Sequence, residues 1–133
     1  MGLNWIYKEK DFTEDMVGDL IGFVYIITNL STGRKYIGKK FFQSSKTKVV
    51  KGKKKKTRVS SDWLTYWGSN KELIQDVKEL GPEYFECLIL RLCTTKKQLT
   101  YFEVHHQCIS DCLLGANSYN DNILAKFFRR DFI

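Results

Sequence analysis

The sequence predicts a small α/β domain, a three-stranded antiparallel-type sheet flanked by helices. Three observations predict it. "GFVYIIT" (22–28) alternates faces as a strand does and, after the turn-forming "NLSTG", returns as "RKYIGKKF". Two helix-start patterns, "SNKE" and "TKKQ", each precede a stretch of helical periodicity. Between those helices "YFECLILRL" reads as a buried third strand. A chain of 133 residues with 43% hydrophobic content and one proline suits a single domain with a modest core.

Taken in order, residues 1–21 form a leader that packs on or extends the domain. In the first strand Phe23, Tyr25 and Ile27 oppose Val24 and Ile26. Gly33 can take a positive φ, and so short a loop makes the pair antiparallel. Tyr36, Gly38 and Lys40 then share one face of the second strand. A basic loop spans 46–58, and "SSDWLTYW" forms a short helical turn. Ser69 and Glu72 match a capping box ahead of "LIQDVKEL", which Gly81 and Pro82 end. Thr95 and Gln98 match a second box. The helix it opens puts Leu99, Phe102, His106, Ile109 and Leu113 near one face, with Gly115 after its last turn. The order is β-β-α-β-α, with the domain over 22–123 and a tail over 124–133.

The net charge of +7 is concentrated. "KTKVVKGKKKKTR" carries eight cations (Lys46, Lys48, Lys51, Lys53, Lys54, Lys55, Lys56 and Arg58) and no acid. Such a run is a solvated face, a contact for an anionic membrane surface or a contact for nucleic acid. No amphipathic apolar face accompanies it, which disfavours the membrane, and phosphate neutralisation is its usual use. No apolar run approaches the roughly 18 residues that span a bilayer. The N-terminal stretch lacks a signal-peptide core, and its Met-Gly start lacks the Ser or Thr of a myristoylation site. An intracellular, non-secreted protein is the expectation. Its four cysteines, Cys87, Cys93, Cys108 and Cys112, then read as buried free thiols. His105, Cys108 and Cys112 have helical spacing, and Cys87 or Cys93 could complete a zinc site, yet no CxxC pair is present.

"GFVY" followed by "YIG", with Tyr36 eleven residues after Tyr25, resembles the paired signature of the GIY-YIG nuclease family. The helix "KELIQDVKELG", the strand "FECLIL", the helix "LTYFEVHHQ" and the late "SYN" follow in that family's order. The likeness is to small phage-encoded, freestanding, Seg-like homing endonucleases, where "SDWLTYWGSNKEL" also has counterparts. The resemblance implies a DNA endonuclease that hydrolyses phosphodiester bonds with one divalent ion, Mg²⁺ or Mn²⁺. Glu103 matches the metal-binding glutamate, and a lone carboxylate suffices because Mg²⁺ keeps several waters. Tyr25 and Tyr36 match two tyrosines, one of which deprotonates or orients the attacking water, and Asn120 matches a supporting asparagine. A free phenol has a pKa of about 10, and nearby cations favour the phenolate. Lys40, on the face of Tyr36, is expected to lower that phenol's pKa. The plain alternatives are strand filler for both tyrosines, a solvated helix residue for Glu103 and a turn residue for Asn120.

One departure stands out. The family places an arginine, often with a histidine beyond it, on a helix after the YIG strand, where this chain has "KKFFQSSKTKVVKGKKKKTR". Lys40 is the expected replacement at the phosphate and Arg58 its rival, with Lys39 adjacent. His105 or His106 could touch substrate, though a histidine on a core-facing helix is more often packed. Lys39, Lys71 and the eight cations of the loop are the expected contacts to the backbone of duplex DNA. "LAKFFRRDFI" (124–133) suits backbone contact or self-association, so the chain acts as a monomer or a homodimer. A catalytically inactive nucleic-acid-binding module and an interaction or inhibitor protein are the competing functions on the same fold.

Overall fold

The computed structural model describes residues 3–133, apart from the side chains of Lys46, Lys48 and Lys56. Its centre is the hairpin of β3 (Gly22–Asn29) and β4 (Lys35–Phe41), with Tyr25 opposite Gly38 and Ile27 opposite Tyr36. Gly33, at φ +79°, closes the turn, its amide donating to the Asn29 carbonyl at 2.7 Å. β7 (Phe85–Cys93) pairs antiparallel along the other side of β3, with an irregularity between Val24 and Tyr25. The sheet is wider than the sequence implies. β1 (Trp5–Tyr7) lies parallel to β7, β2 (Lys10–Asp11) pairs with β1, and the order is β2-β1-β7-β3-β4. The expected three-stranded sheet is therefore a five-stranded mixed one. The two extra strands have three and two residues, too few to show alternation, and "YKEKD" hides them under charge.

Each face of the sheet has its own cover. Beneath one lie Trp5, Phe23, Tyr25, Phe42, Trp63, Leu73 and Val77, with helix α1 (Lys71–Leu80) and a 3₁₀ turn at Trp63–Thr65. Trp63 meets Phe42 edge-on at 5.0 Å, and its carbonyl accepts from the Trp5 indole at 2.8 Å. Each such buried side chain contributes on the order of 2 kcal/mol. The opposite face packs Val24, Ile37 and Cys93 against Leu99 of helix α2 (Lys96–Ile109). β4 is left as an edge.

The helix starts differ in one respect from expectation. Thr95 caps α2, accepting from the Gln98 amide at 3.1 Å. α1 is capped by Asn70, which accepts from the Leu73 amide at 2.9 Å, and Ser69 is spent on Tyr36 instead. The buried residues of α2 are Leu99 and Gln107. Ile109 ends the helix exposed, and Leu113 is buried beyond it. The second half of α2 lies along the backbone of β4, where a polar residue has partners and an isoleucine has none.

Residues 43–60 are not a loop but a two-stranded ribbon, β5 (Gln43–Val50) and β6 (Lys53–Ser60), turning at Lys51 and Gly52. Val, Thr and local pairing win over the charge run there. After α2 the chain forms a small hairpin, β8 (Asn122–Ile123) with β9 (Phe127–Phe128). Arg129 folds the tail back, donating to the carbonyls of Leu113 (2.6 Å) and Gly115 (3.0 Å). Among the described residues no helix is long and apolar enough to cross a membrane.

Candidate active site

The site is built along the edge strand β4. Gly38 faces Tyr25 in the ladder, and its missing side chain lets that phenol lie beneath β4. A Cβ at Gly38 would stand 2.6 Å from the Tyr25 hydroxyl and 3.1 Å from Cε1 of Tyr36. Gly68 closes from the other side. At φ +87° it would bring a Cβ within 3.0 Å of Tyr36 Cε1 and 3.3 Å of the Tyr25 hydroxyl. Both phenols thus sit between two glycines, Tyr25 at 1% exposure and Tyr36 bonded to Ser69 Oγ at 3.1 Å. Gly68 and Ser69 were not legible as site residues, although "WGSN" lies in the stretch with family counterparts.

The free edge of β4 is held by side-chain amides. Asn120 Oδ1 accepts from the Ile37 amide at 2.9 Å, and its Nδ2 donates to the Ile37 carbonyl at 2.9 Å. One side chain reproduces a strand neighbour between Tyr36 and Gly38. The Asn120 segment is itself held, since Asn70 donates to the Tyr119 carbonyl and the Tyr119 hydroxyl donates to Asp76. Asn120, buried and outside any turn, is therefore a clamp on the tyrosine strand. Gln107 Nε2 donates to the same Ile37 carbonyl at 3.0 Å. Its Oε1 is buried without a partner, an arrangement that ordinarily costs about 1–3 kcal/mol. Sequence reasoning missed Gln107; its one signal was the i, i+4 spacing from Glu103.

Glu103 stands on α2 with its side chain 13% exposed. Burial raises its carboxyl above the ordinary range, partly offset by Lys39. Lys39 Nζ is 3.9 Å from Glu103 Oε1 and donates to Thr100 Oγ1 at 3.0 Å. Burial also raises Tyr25 well above the usual phenol range, with Tyr36, Tyr66 and Glu103 adding to the effect. Tyr36 is raised for the same first reason, against the opposing Ser69 bond. Lys40 does not relieve it. That ammonium pairs with Asp62 at 2.6 Å and lies 4.0 Å over the Tyr66 ring, so the expected lowering of the Tyr36 phenol is overturned.

Tyr36, Lys39, Ser69, Glu103, Gln107 and Asn120 line one polar cleft of about 670 Å³. Lys71 also lines it. Lys40 and Arg58 line a neighbouring trough of about 440 Å³, which shares only Lys39 with the cleft. Lys51, Lys53, Lys54 and Lys55 are exposed on the ribbon, whereas the side chains of Lys46, Lys48 and Lys56 lie outside the described residues. His105 is exposed and stacks on Tyr101. His106 is held below its usual range by burial and by His105 and Arg91. Cys87, Cys93 and Cys112 are buried free thiols, whereas Cys108, expected to be buried, is exposed; burial pushes Cys87 and Cys112 up to about 12. Among the described residues no three His, Cys, Asp or Glu side chains gather as a metal cluster.

The family model "Putative endonuclease segE, GIY-YIG domain" matches residues 5–124. The chain belongs to this family. No curated protein and no solved structure gives a significant match. The GIY-YIG match starts at Trp5, so it takes in β1 and β2 as well as the two tyrosine strands.

Proposed function

We propose that this GIY-YIG domain is a metal-dependent DNA endonuclease that hydrolyses a phosphodiester in the cleft beside β4. The observation that carries the reading is convergence. A half-buried carboxylate, a cation and a phenol reach one cleft from α2 and from both faces of β4. The donor set fits a hard divalent cation, Mg²⁺ or Mn²⁺. Glu103 offers carboxylate oxygens, and Gln107, whose Oε1 is a buried acceptor without a partner, lines the same cleft. Glu103 would hold the ion and Gln107 would accept from one of its waters. Such an ion, when bound, polarises the phosphate and neutralises charge developing on it.

The remaining work falls to the chain's own groups. Lys39 presents a positive charge to the phosphate as a point charge, without arginine's fork. Both phenols remain protonated at neutral pH, because burial pushes each upward. Tyr36 therefore acts by holding the attacking water through its hydroxyl, not as a standing phenolate. Tyr25 fixes the depth of Tyr36 beneath Gly38. Asn120 keeps that strand in register.

Supercoiled plasmid incubated with the protein and Mg²⁺ tests the proposal. Wild type should nick it, and Glu103→Ala should be slower by about 10³-fold or more, several kcal/mol of charge stabilisation being lost. Duplex binding should survive the substitution. Equal nicking by the two proteins would sink the metal reading, and binding without any nicking in Mg²⁺ or Mn²⁺ would leave a non-catalytic binding module.

A further inference from the structure

Among the described residues, none of the ribbon β5–β6 belongs to either hydrophobic cluster of the domain. Every described side chain from 43 to 60 is exposed, including Val49 at 70%, Val50 at 44% and Val59 at 39%. Its base is tied to the sheet by Ser61, whose Oγ donates to the Phe41 carbonyl of β4 at 2.6 Å. Each strand has eight residues, so the ribbon is about 26 Å long at about 3.3 Å per residue. By alternation Lys53 and Lys55 share a face with Val50 and Val59, while Lys54 and Arg58 share the other with Val49. Both faces therefore combine cations with aliphatic methyls. An arm that only needed to stay soluble would carry the lysines and dispense with the valines.

We infer that this ribbon inserts into the major groove of duplex DNA and holds the duplex against the cleft, an inference that rests on the nuclease reading above. Dimensions choose the groove. Two strands about 4.8 Å apart, widened by their side chains, match a groove about 12 Å wide and exceed one about 6 Å wide. In that position lysines reach phosphates on both rims, and the face that carries Val50 and Val59 turns to the groove floor, where thymine methyls are exposed. The trough lined by Arg58, Ser44, Lys40 and Lys96 neighbours the Glu103 cleft, and Lys39 lines both. A duplex A-form RNA has a deep, narrow major groove that closes this route.

Fluorescence anisotropy of a labelled duplex in EDTA tests the groove without cleavage. Methyl green, which occupies the major groove, should displace the protein, whereas netropsin, in the minor groove, should leave it bound. A duplex RNA of the same sequence should bind much more weakly. The surface variant Lys53→Ala/Lys54→Ala/Lys55→Ala should flatten the plot of log affinity against log salt by about 2.7, at about 0.9 per lost phosphate contact. Displacement by netropsin, equal affinity for the RNA duplex, an unchanged slope or no binding to DNA would each overturn the inference. Plasmid nicking reports separately: nicking that survives Glu103→Ala removes the metal reading at Glu103, absence of nicking by wild type in Mg²⁺ or Mn²⁺ removes the hydrolytic reading, and both leave the groove result standing.

Discussion

Two hairpins follow one another in this chain, separated by the single residue Phe42, and they are built on opposite terms. In β3–β4 nearly every residue of β3 is buried, and Gly38, with Gly68 from outside the hairpin, closes on two phenols. In β5–β6 every described residue is exposed. Groups that act on a reacting atom need a geometry that packing enforces, because a displacement of about 1 Å costs on the order of 10² in rate. Groups that neutralise phosphate charge need only reach it. The contrast explains why one arm spends its residues on fit and the other on charge.

Glycine substitutions in the two hairpins break the comparison most sharply. Gly38→Ala drives a methyl into the Tyr25 hydroxyl, so it should destabilise the fold by about 1–3 kcal/mol and displace both phenols. Nicking should fall by about 10². Gly52 has nothing within 4 Å of a Cβ, and its φ of +74° strains an alanine only at the ribbon's tip. Gly52→Ala should therefore cost about 1 kcal/mol locally and leave the calorimetric Tm of the domain where it was. Equal Tm losses from the two variants would mean that the ribbon shares the core's cooperativity, against the separation drawn here.

A smaller effect probes the polar end of the packed region. Gln107→Met keeps the volume and removes the unpartnered oxygen together with the bond to the Ile37 carbonyl, which Asn120 still serves. Mn²⁺ affinity, followed by electron paramagnetic resonance with a phosphorothioate duplex, should weaken by about tenfold, as for outer-shell partners of metal sites. Stability should change by no more than about 1 kcal/mol. Unchanged Mn²⁺ binding beside a loss in Tm would assign Gln107 to strand packing alone.

What was legible in the sequence divides along the same line. The tyrosine hairpin, both helices and the third strand could be read, because each depends on periodicity within one segment. The grouping of Tyr36, Glu103 and Asn120 entered through resemblance, since nothing in their spacing puts them on one cleft. Lys40 shows why local reading stops there. Alternation placed it correctly on the face of Tyr36, but a four-carbon stem reaches Asp62, and the pair it makes is not visible from the strand. Lys39 points to the other face and is the lysine beside Glu103, because α2 covers that face. The ribbon was hidden for a different reason. Its lysines read as a basic loop, whereas Gln43–Val50 and Lys53–Ser60 pair through backbone bonds that lysine does not oppose.

The smallest expected effect asks whether the packed site stores a cost that the ribbon does not. Burial raises the Glu103 carboxyl in the folded state above its unfolded value. Between those two values the folded protein binds more protons than the unfolded one, so stability falls as pH rises through the window. The penalty is fully present above the folded value and absent below the ordinary carboxylate range. Glu103→Gln removes the charge at nearly constant volume, and Lys39 keeps its bond to Thr100. The variant should then melt above wild type at pH 7, with the gap closing as the pH is lowered through the carboxylate range. Lys54→Gln, on the exposed ribbon, should leave the dependence of Tm on pH unaltered as the control. A Glu103→Gln protein that melts below wild type at pH 7, or by a margin independent of pH, would show that the Lys39 pairing outweighs burial. The site would then be a stabilising ion pair and not a carboxylate kept at a cost for a cation.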